Sequence, residues 1–339
     1  MKFIVGVFYF LLLSICCTAQ NVGWNPLEAG SYQVGYTQIV LPSENGVPMV
    51  ASIWYPAKEG AKKMTFEDFI KSENLFNNSE EELLSNFNQG LGFFYKVMFP
   101  MDSIHLLGST QTRSYRDAVP EKGAFPLVLG MGSSFFYFTT YEYLASHGRI
   151  VATISCGFKD EPPSPDGPYH YNRFTDAMEK LLVLMTSYPS ANAEDITVIG
   201  HGFAINPAMY LAMRNGKIKR AINLDGGFFG PRSKSQNSSD YHPEKFKGPI
   251  LYIVTGDQLA QDDPNQRMKF ASSLIEAKIN SPVFKHRDFT SFGRFVQLAQ
   301  LDINAVKKNK AFVSMHRLIL DFLDAKKKPA SNEEFTVSR

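Results

Sequence analysis

The run Thr197-Val198-Ile199-Gly200-His201-Gly202-Phe203-Ala204 carries the strongest chemical signal in the chain. An apolar strand enters Gly-x-?-x-small and passes straight into a helical pattern, the local geometry that presents a nucleophilic serine at the top of a sheet. Gly202 stands where that serine would be, and glycine has no side chain with which to attack a carbonyl. The chemistry such a serine serves needs a histidine to take its proton, an acid to orient the histidine, and two backbone N–H groups to hold an oxyanion. The rest of the chain is therefore read for those partners.

Asp225 ends the apolar run Ile222-Asn223-Leu224, and the carboxyl edge of a strand is where α/β sheets bind ligands. It serves equally well as a cap for the turn through Gly226-Gly227. Asp257, after Ile253-Val254-Thr255-Gly256, is an alternative acid. His286 lies between Lys285 and Arg287 in a run read as a strand over Val283–Phe289, and alternation with charged neighbours places it on the surface. Ser133 and Ser134, together with His201 beside the elbow, form an alternative nucleophile and base. His242 sits in a polar loop without metal-ligand spacing, and Cys156, after the run Ile150–Ile154, reads as a small buried residue. Nothing in the sequence calls for a metal or a cofactor.

These residues need a scaffold, and hydrophobic periodicity supplies one. Gly35–Leu41 and Val47–Tyr55 alternate as strands across an Asn-Gly turn, which is a hairpin signal. Residues of about 63–100 switch to helical spacing through Phe66, Phe69, Ile70, Leu83, Leu84 and Phe87, as expected of a small helical insertion or cap. From Phe125 strands alternate with helices: strands at Phe125–Leu129, Ile150–Ser155, Ile196–Ile199, Ile218–Leu224, Ile250–Thr255 and Val283–Phe289. Helices are expected over Thr139–His147, Asn172–Thr186, from the elbow to Arg214, and over Phe312–Leu323. This is the pattern of an α/β domain, a mostly parallel central sheet with helices on both faces.

Several segments together resemble the α/β-hydrolase superfamily, and within it the platelet-activating factor acetylhydrolase and dienelactone hydrolase-like group. They are Ile53-Trp54-Tyr55-Pro56-Ala57, Phe125-Pro126-Leu127-Val128-Leu129 leading into Gly130-Met131-Gly132-Ser133-Ser134, Tyr143-Leu144-Ala145-Ser146-His147-Gly148, Val198-Ile199-Gly200-His201, and Ile222-Asn223-Leu224-Asp225-Gly226. The resemblance implies Asp225 as acid and backbone donors at Met131 and Phe203 for the oxyanion. It implies a histidine in a Gly-x-x-His-x-x-Phe context after the last strand; aligned on Phe295 and Leu298, that position is Phe292. The loop after Leu129 is about two residues shorter than usual in the group and lacks its His-Gly pair.

The resemblance and the residues thus imply a degenerate triad at Gly202, Asp225 and Phe292. The expectation is a pseudoenzyme whose old cleft, with Phe228 and Phe229 near Asp225, binds an acyl, lipid-like or aromatic ligand or a protein partner. The alternative is an active carboxylic-ester hydrolase using Ser133 or Ser134.

A chain of 339 residues with 44% hydrophobic and 20% charged composition buries a full core, and a single domain over 20–339 is expected. A formal charge of +2 without a basic stripe argues against a nucleic-acid partner. Lys2 ahead of the apolar run Phe3–Leu13, with Cys17-Thr18-Ala19 following, reads as an export signal cleaved after Ala19, giving a periplasmic or secreted protein. Leu13-Ser14-Ile15-Cys16 is an imperfect lipobox, so a lipid anchor is the one membrane attachment considered. After cleavage only Cys156 remains, and one thiol forms no internal bridge.

Overall fold

The computed structural model describes residues 25–339 apart from 43–48, 59, 61, 73, 75–77, 96–97, 157–170, 231–234, 282, 292–304, 326–332 and 337–339. The expected export signal, the lipobox, the Asn-Gly turn and Phe292 lie outside the described residues.

Eleven strands form one sheet: β1 (Gln33–Leu41), β2 (Met49–Ala57), β3 (Lys63–Thr65), β4 (Gln111–Arg116), β5 (Phe125–Met131), β6 (Ile150–Cys156), β7 (Ala191–His201), β8 (Ile218–Leu224), β9 (Ile250–Thr255), β10 (Leu274–Asn280) and β11 (Glu333–Thr336), in the order β11-β10-β9-β8-β7-β5-β6-β2-β1-β4-β3. The expected hairpin forms as β1 against β2, antiparallel in register from Gln33 with Ala57 to Leu41 with Met49. From β5 and β6 through β11 every pairing is parallel. The sequence order reverses between β5 and β7, because β5 leads outward to β6 on one side while β7 lies on the other. That reversal opens a crevice at the carboxyl ends of these strands, where open α/β sheets bind ligands.

Helices α1 (Phe66–Ser72), α2 (Glu80–Tyr95), α3 (Met101–Gly108), α4 (Ser134–Ser146), α5 (Tyr171–Thr186), α6 (Ile205–Arg214), α7 (Gly256–Leu259), α8 (Pro264–Met268) and α9 (Ala305–Asp324) cover both faces. Strand alternation sorts the core into two layers. Leu127, Leu129, Ile150, Ala152, Ile196 and Val198 join the cluster beneath α5 and α6, whereas Val128, Val151 and Ile199 join the cluster shared with α4 and α9. From the stretch expected as a helical insertion, Phe66, Phe69, Ile70, Leu84 and Phe87 belong to the cluster shared with α4 and α9. Phe66 and Phe69 lie 5.5 and 5.0 Å from Phe138 on α4, so its apolar stripe is anchored in the domain core.

Two expectations are corrected. The helix expected from Thr139 to His147 starts five residues earlier, at Ser134, so Phe135 to Phe138 stand on α4. The last strand expected at Val283–Phe289 is instead β10, Leu274–Asn280, whose residues alternate between buried and half-buried; residues 286–289 form a single 3-10 turn. The true strand shows the period-2 pattern, whereas Phe284 and Phe289 are five apart and both buried, which one strand face cannot provide.

Helix α4 is tied to the sheet edge through a buried carboxyl. Glu142 Oε1 accepts from the Arg113 backbone N–H at 2.8 Å and from Ser114 Oγ at 2.7 Å. Burial pushes this carboxyl up to about 7, against the opposing pull of those hydrogen bonds and of Arg113. A folded value above the ordinary 4.5 means that Glu142's contribution to stability is complete below about pH 4.5 and is lost as pH rises through about 7. Glu142→Gln is expected to remove up to about 1.4 kcal/mol per pH unit from that slope. Urea unfolding across the window measures it, and superimposable profiles for both proteins would contradict it.

Candidate active site

Three strand ends meet at the crevice. Strand β7 ends at His201 in extended conformation and the chain turns at Gly202 into the 3-10 turn Gly202–Ala204, then α6. Gly202 has φ +57°, the left-handed region in which glycine is at ease. Gly200 serves the same turn by absence of bulk, since a Cβ there would lie 2.4 Å from the Ile205 Cα. The chain thus makes a sharp turn from β7 into α6 with a glycine at its apex.

Asp225 follows β8 at φ +47° and its backbone N–H donates to Ile253 O at 2.7 Å. Its carboxylate is 1% exposed, so its charge must be met by donors. Thr255 supplies a backbone N–H at 2.7 Å and a hydroxyl at 3.0 and 3.2 Å from the two oxygens. The fourth contact is His286 Nδ1, 2.9 Å from Oδ2. Asp225 thus orients a histidine, as an acid of a triad does. Asp257 does not: its side chain is 81% exposed and pairs only with Lys285, at 3.5 Å.

His286, read from the sequence as a surface residue, is the histidine that meets Asp225 among the described residues, whereas Phe292 lies outside them. The 3-10 turn of residues 286–289 is held from both sides: Phe284 and Phe289 are buried with ring centres 5.2 Å apart, and Asp288 Oδ2 accepts from the Lys285 N–H at 2.6 Å. Ser291, just beyond, accepts from the Thr139 N–H on α4 at 3.0 Å. These anchors leave the His286 side chain half-exposed while aiming its ring across the elbow. Among the described residues, chain neighbours aside, a Cβ placed on Gly202 would meet within 4 Å only Cε1 and Nε2 of His286, each at 3.6 Å. A hydroxyl one bond farther out reaches hydrogen-bonding distance of Nε2. The Asp225–His286 pair thus faces the apex of the turn at Gly202.

His201 stacks on His286, with ring centres 4.2 Å apart and planes at 21°. Its Nε2 lies 3.2 Å from the His286 carbonyl, which can only accept, so Nε2 carries the proton. Its Nδ1 then accepts from the Tyr137 hydroxyl on α4. Burial, followed by the neighbouring His286, holds the His201 imidazole well below its ordinary range. It is expected to stay neutral and Nε2-protonated as pH falls through about 6.5. Since the folded state resists this proton, His201 lowers stability as pH drops below that value. Nitrogen-15 chemical shifts of the ring check the assignment; an imidazolium signal at about pH 6 would contradict it.

The remaining candidates are placed as follows. Both His201 nitrogens are engaged, which removes it as the base for Ser133 or Ser134. Ser134, the first residue of α4, is completely buried and is not a cleft residue; Ser133 precedes it and is half-buried. Phe228 and Phe229, expected in the cleft, are each 1% exposed, because the short turn Gly227–Phe229 packs their rings among Tyr210, Tyr252 and Phe270. Phe203 does face outward, 54% exposed, and its ring centre lies 6.4 Å from that of Phe174. As the second residue of a helical turn its N–H lies among those without an intrahelical acceptor. Met131 is the last residue of β5 and lines a cavity of about 10 Å³, space for about one water-sized sphere, together with Tyr137, Gly200 and His201. Only Gly132 and Ser133 separate β5 from α4, and the Gly132 N–H is taken by Ile154 O at 3.1 Å. Burial pushes the Cys156 thiol up to about 11, which makes it unreactive near neutrality, as its position after the apolar run suggests.

The architecture matches that of a ferulic acid esterase from Streptomyces cinnamoneus at a TM-score of 0.56, with 17% identity over 88% of this chain and 93% of that one. The chain has the α/β-hydrolase fold. Among other solved structures similar to it are a 2,6-dihydroxy-pseudo-oxynicotine hydrolase (TM-score 0.42, 12% identity, 88% of this chain and 71% of that one) and a Pyrococcus horikoshii acylaminoacyl peptidase (TM-score 0.47, 11% identity, 90% of this chain and 44% of that one). No protein-family model matches the sequence, and no curated protein does.

Proposed function

We propose that this α/β-hydrolase-fold protein has lost covalent acyl-enzyme chemistry and keeps its cleft for an acyl, lipid-like or aromatic ligand bearing a carbonyl group. The observation that carries the reading is Gly202 at the apex of the turn from β7, with the Asp225–His286 pair presenting the edge of His286 to the position a side chain there would take. Evolution of a filled, purely structural site has no need of a buried carboxylate oriented on a half-exposed histidine. The backbone N–H of Phe203, with that of Met131, would take the ligand's carbonyl oxygen, and the exposed Phe203 ring beside Phe174 supplies an apolar platform.

Without a serine, wild-type protein is expected to show no stoichiometric burst of nitrophenol on mixing with p-nitrophenyl acetate, and a burst would contradict the reading. Calorimetric titration with short-chain and aryl esters is expected to show binding that Phe203→Asp weakens about tenfold or more, roughly 1.4 kcal/mol. Export, proposed from residues 1–19, is checked by N-terminal sequencing of protein from its native host, with Gln20 expected first.

A further inference from the structure

Resting on the reading that no acyl-enzyme forms, we propose that the Asp225–His286 pair activates a water molecule over Gly202, so that the site hydrolyses activated carboxylic esters in a single displacement. Three observations point there. Among the described residues, chain neighbours aside, the position that a Gly202 side chain would occupy is met within 4 Å by the edge of His286 carrying Cε1 and Nε2. Asp225 fixes His286 through Nδ1, and a carboxylate only accepts, so Nδ1 holds a proton and Nε2 of the neutral ring turns its lone pair toward that space. His201, kept neutral and stacked on the same ring, adds no positive charge next to His286 when it takes up a proton.

The step balances without further reagents. His286 Nε2 removes a proton from water as the water oxygen bonds to the ester carbonyl carbon. The carbonyl oxygen becomes the oxyanion, held by the Phe203 N–H at the start of its turn. Collapse of that adduct re-forms the carbonyl and breaks the bond to the leaving oxygen, which takes the proton back from the His286 imidazolium. The products are a carboxylic acid and an alcohol or phenol. In an intact triad the same histidine serves serine first and water second; here glycine leaves only the second role. The substrate class is an ester with an aryl leaving group, because the lone general base must work against a good leaving group and the exposed Phe203 ring flanks the elbow.

General-base assistance of this kind contributes about 10²- to 10⁴-fold. Steady-state hydrolysis of p-nitrophenyl acetate by the full chain is therefore expected to fall by about 10²-fold or more in His286→Ala. Gly202→Ala, whose methyl group occupies the water's place and supplies no nucleophile, is expected to lose at least about tenfold. Circular dichroism verifies that both variants are folded, and wild-type rates against His286→Ala decide the matter alone if Gly202→Ala is not. Equal rates for folded wild type and His286→Ala, with no burst and no fluorophosphonate adduct, would overturn this inference and leave the loss of acyl-enzyme chemistry standing. A burst or an adduct in wild type would overturn that underlying reading instead.

Discussion

Gly202→Ser alone is expected to convert the site to serine-dependent, acyl-enzyme hydrolysis of carboxylic esters, with no change at Phe292. The would-be Cβ stands 3.6 Å from His286 Nε2, so a serine hydroxyl rotated toward the ring meets a base already oriented by Asp225. Nitrophenyl-ester turnover is expected to rise at least about 10²-fold over wild type, within the range that a positioned base contributes. Left-handed backbone at φ +57° is costly for a residue with a Cβ, and the variant is expected to be less stable by about 1–2 kcal/mol. A folded variant without added activity would mean that His286 does not reach the elbow apex. Adding Phe292→His is expected to give nothing further.

The second large effect concerns Asp225. In the Gly202→Ser background, Asp225→Asn is expected to lower activity to the wild-type level or below it, because the pair that serves the serine also serves water. An amide in place of the carboxylate favours the wrong histidine tautomer, a change that costs about 10⁴-fold in serine triads. It also turns an NH₂ group on donors, since Thr255 N–H, Thr255 Oγ1 and His286 Nδ1 all meet the carboxylate now. A loss of stability of about 1–3 kcal/mol should accompany the loss of activity. Asp257→Asn is expected to do neither, because that side chain is a surface partner of Lys285. Activity lost with Asp257 and retained with Asp225 would reverse the assignment.

Most of the scaffold is legible in the residues because the central strands are buried on both faces and their apolar runs end in turn signals. The elbow is legible for a local reason: Gly200 and Gly202 are both demanded by one sharp turn. His286 is hidden from the sequence because Val283–Phe289 has the composition of a strand, whereas its described backbone is set by two buried phenylalanines and by Asp288 closing a short turn. The alternation in Leu274–Asn280 holds the missing signal. With the strand placed there, His286 is the first histidine beyond it and falls in the loop where a base is needed. The half-exposed His286 gains its meaning only from Asp225, 61 residues earlier in the chain, a relation that local pattern does not contain. Phe228 and Phe229 misled in the opposite direction, since adjacency to Asp225 in sequence says nothing about which way a 3-10 turn directs their rings.

The most direct test of an intact acid–base pair over a missing nucleophile is site-resolved mass spectrometry after treatment with a fluorophosphonate, applied to wild type, Gly202→Ser and Gly202→Ser/His286→Ala. The account predicts no adduct on wild type, one adduct on the introduced serine of Gly202→Ser, and its loss when His286 is also removed. An adduct on Ser133 or Ser134 of the wild-type chain, or labelling of the single variant that is indifferent to His286, would contradict it.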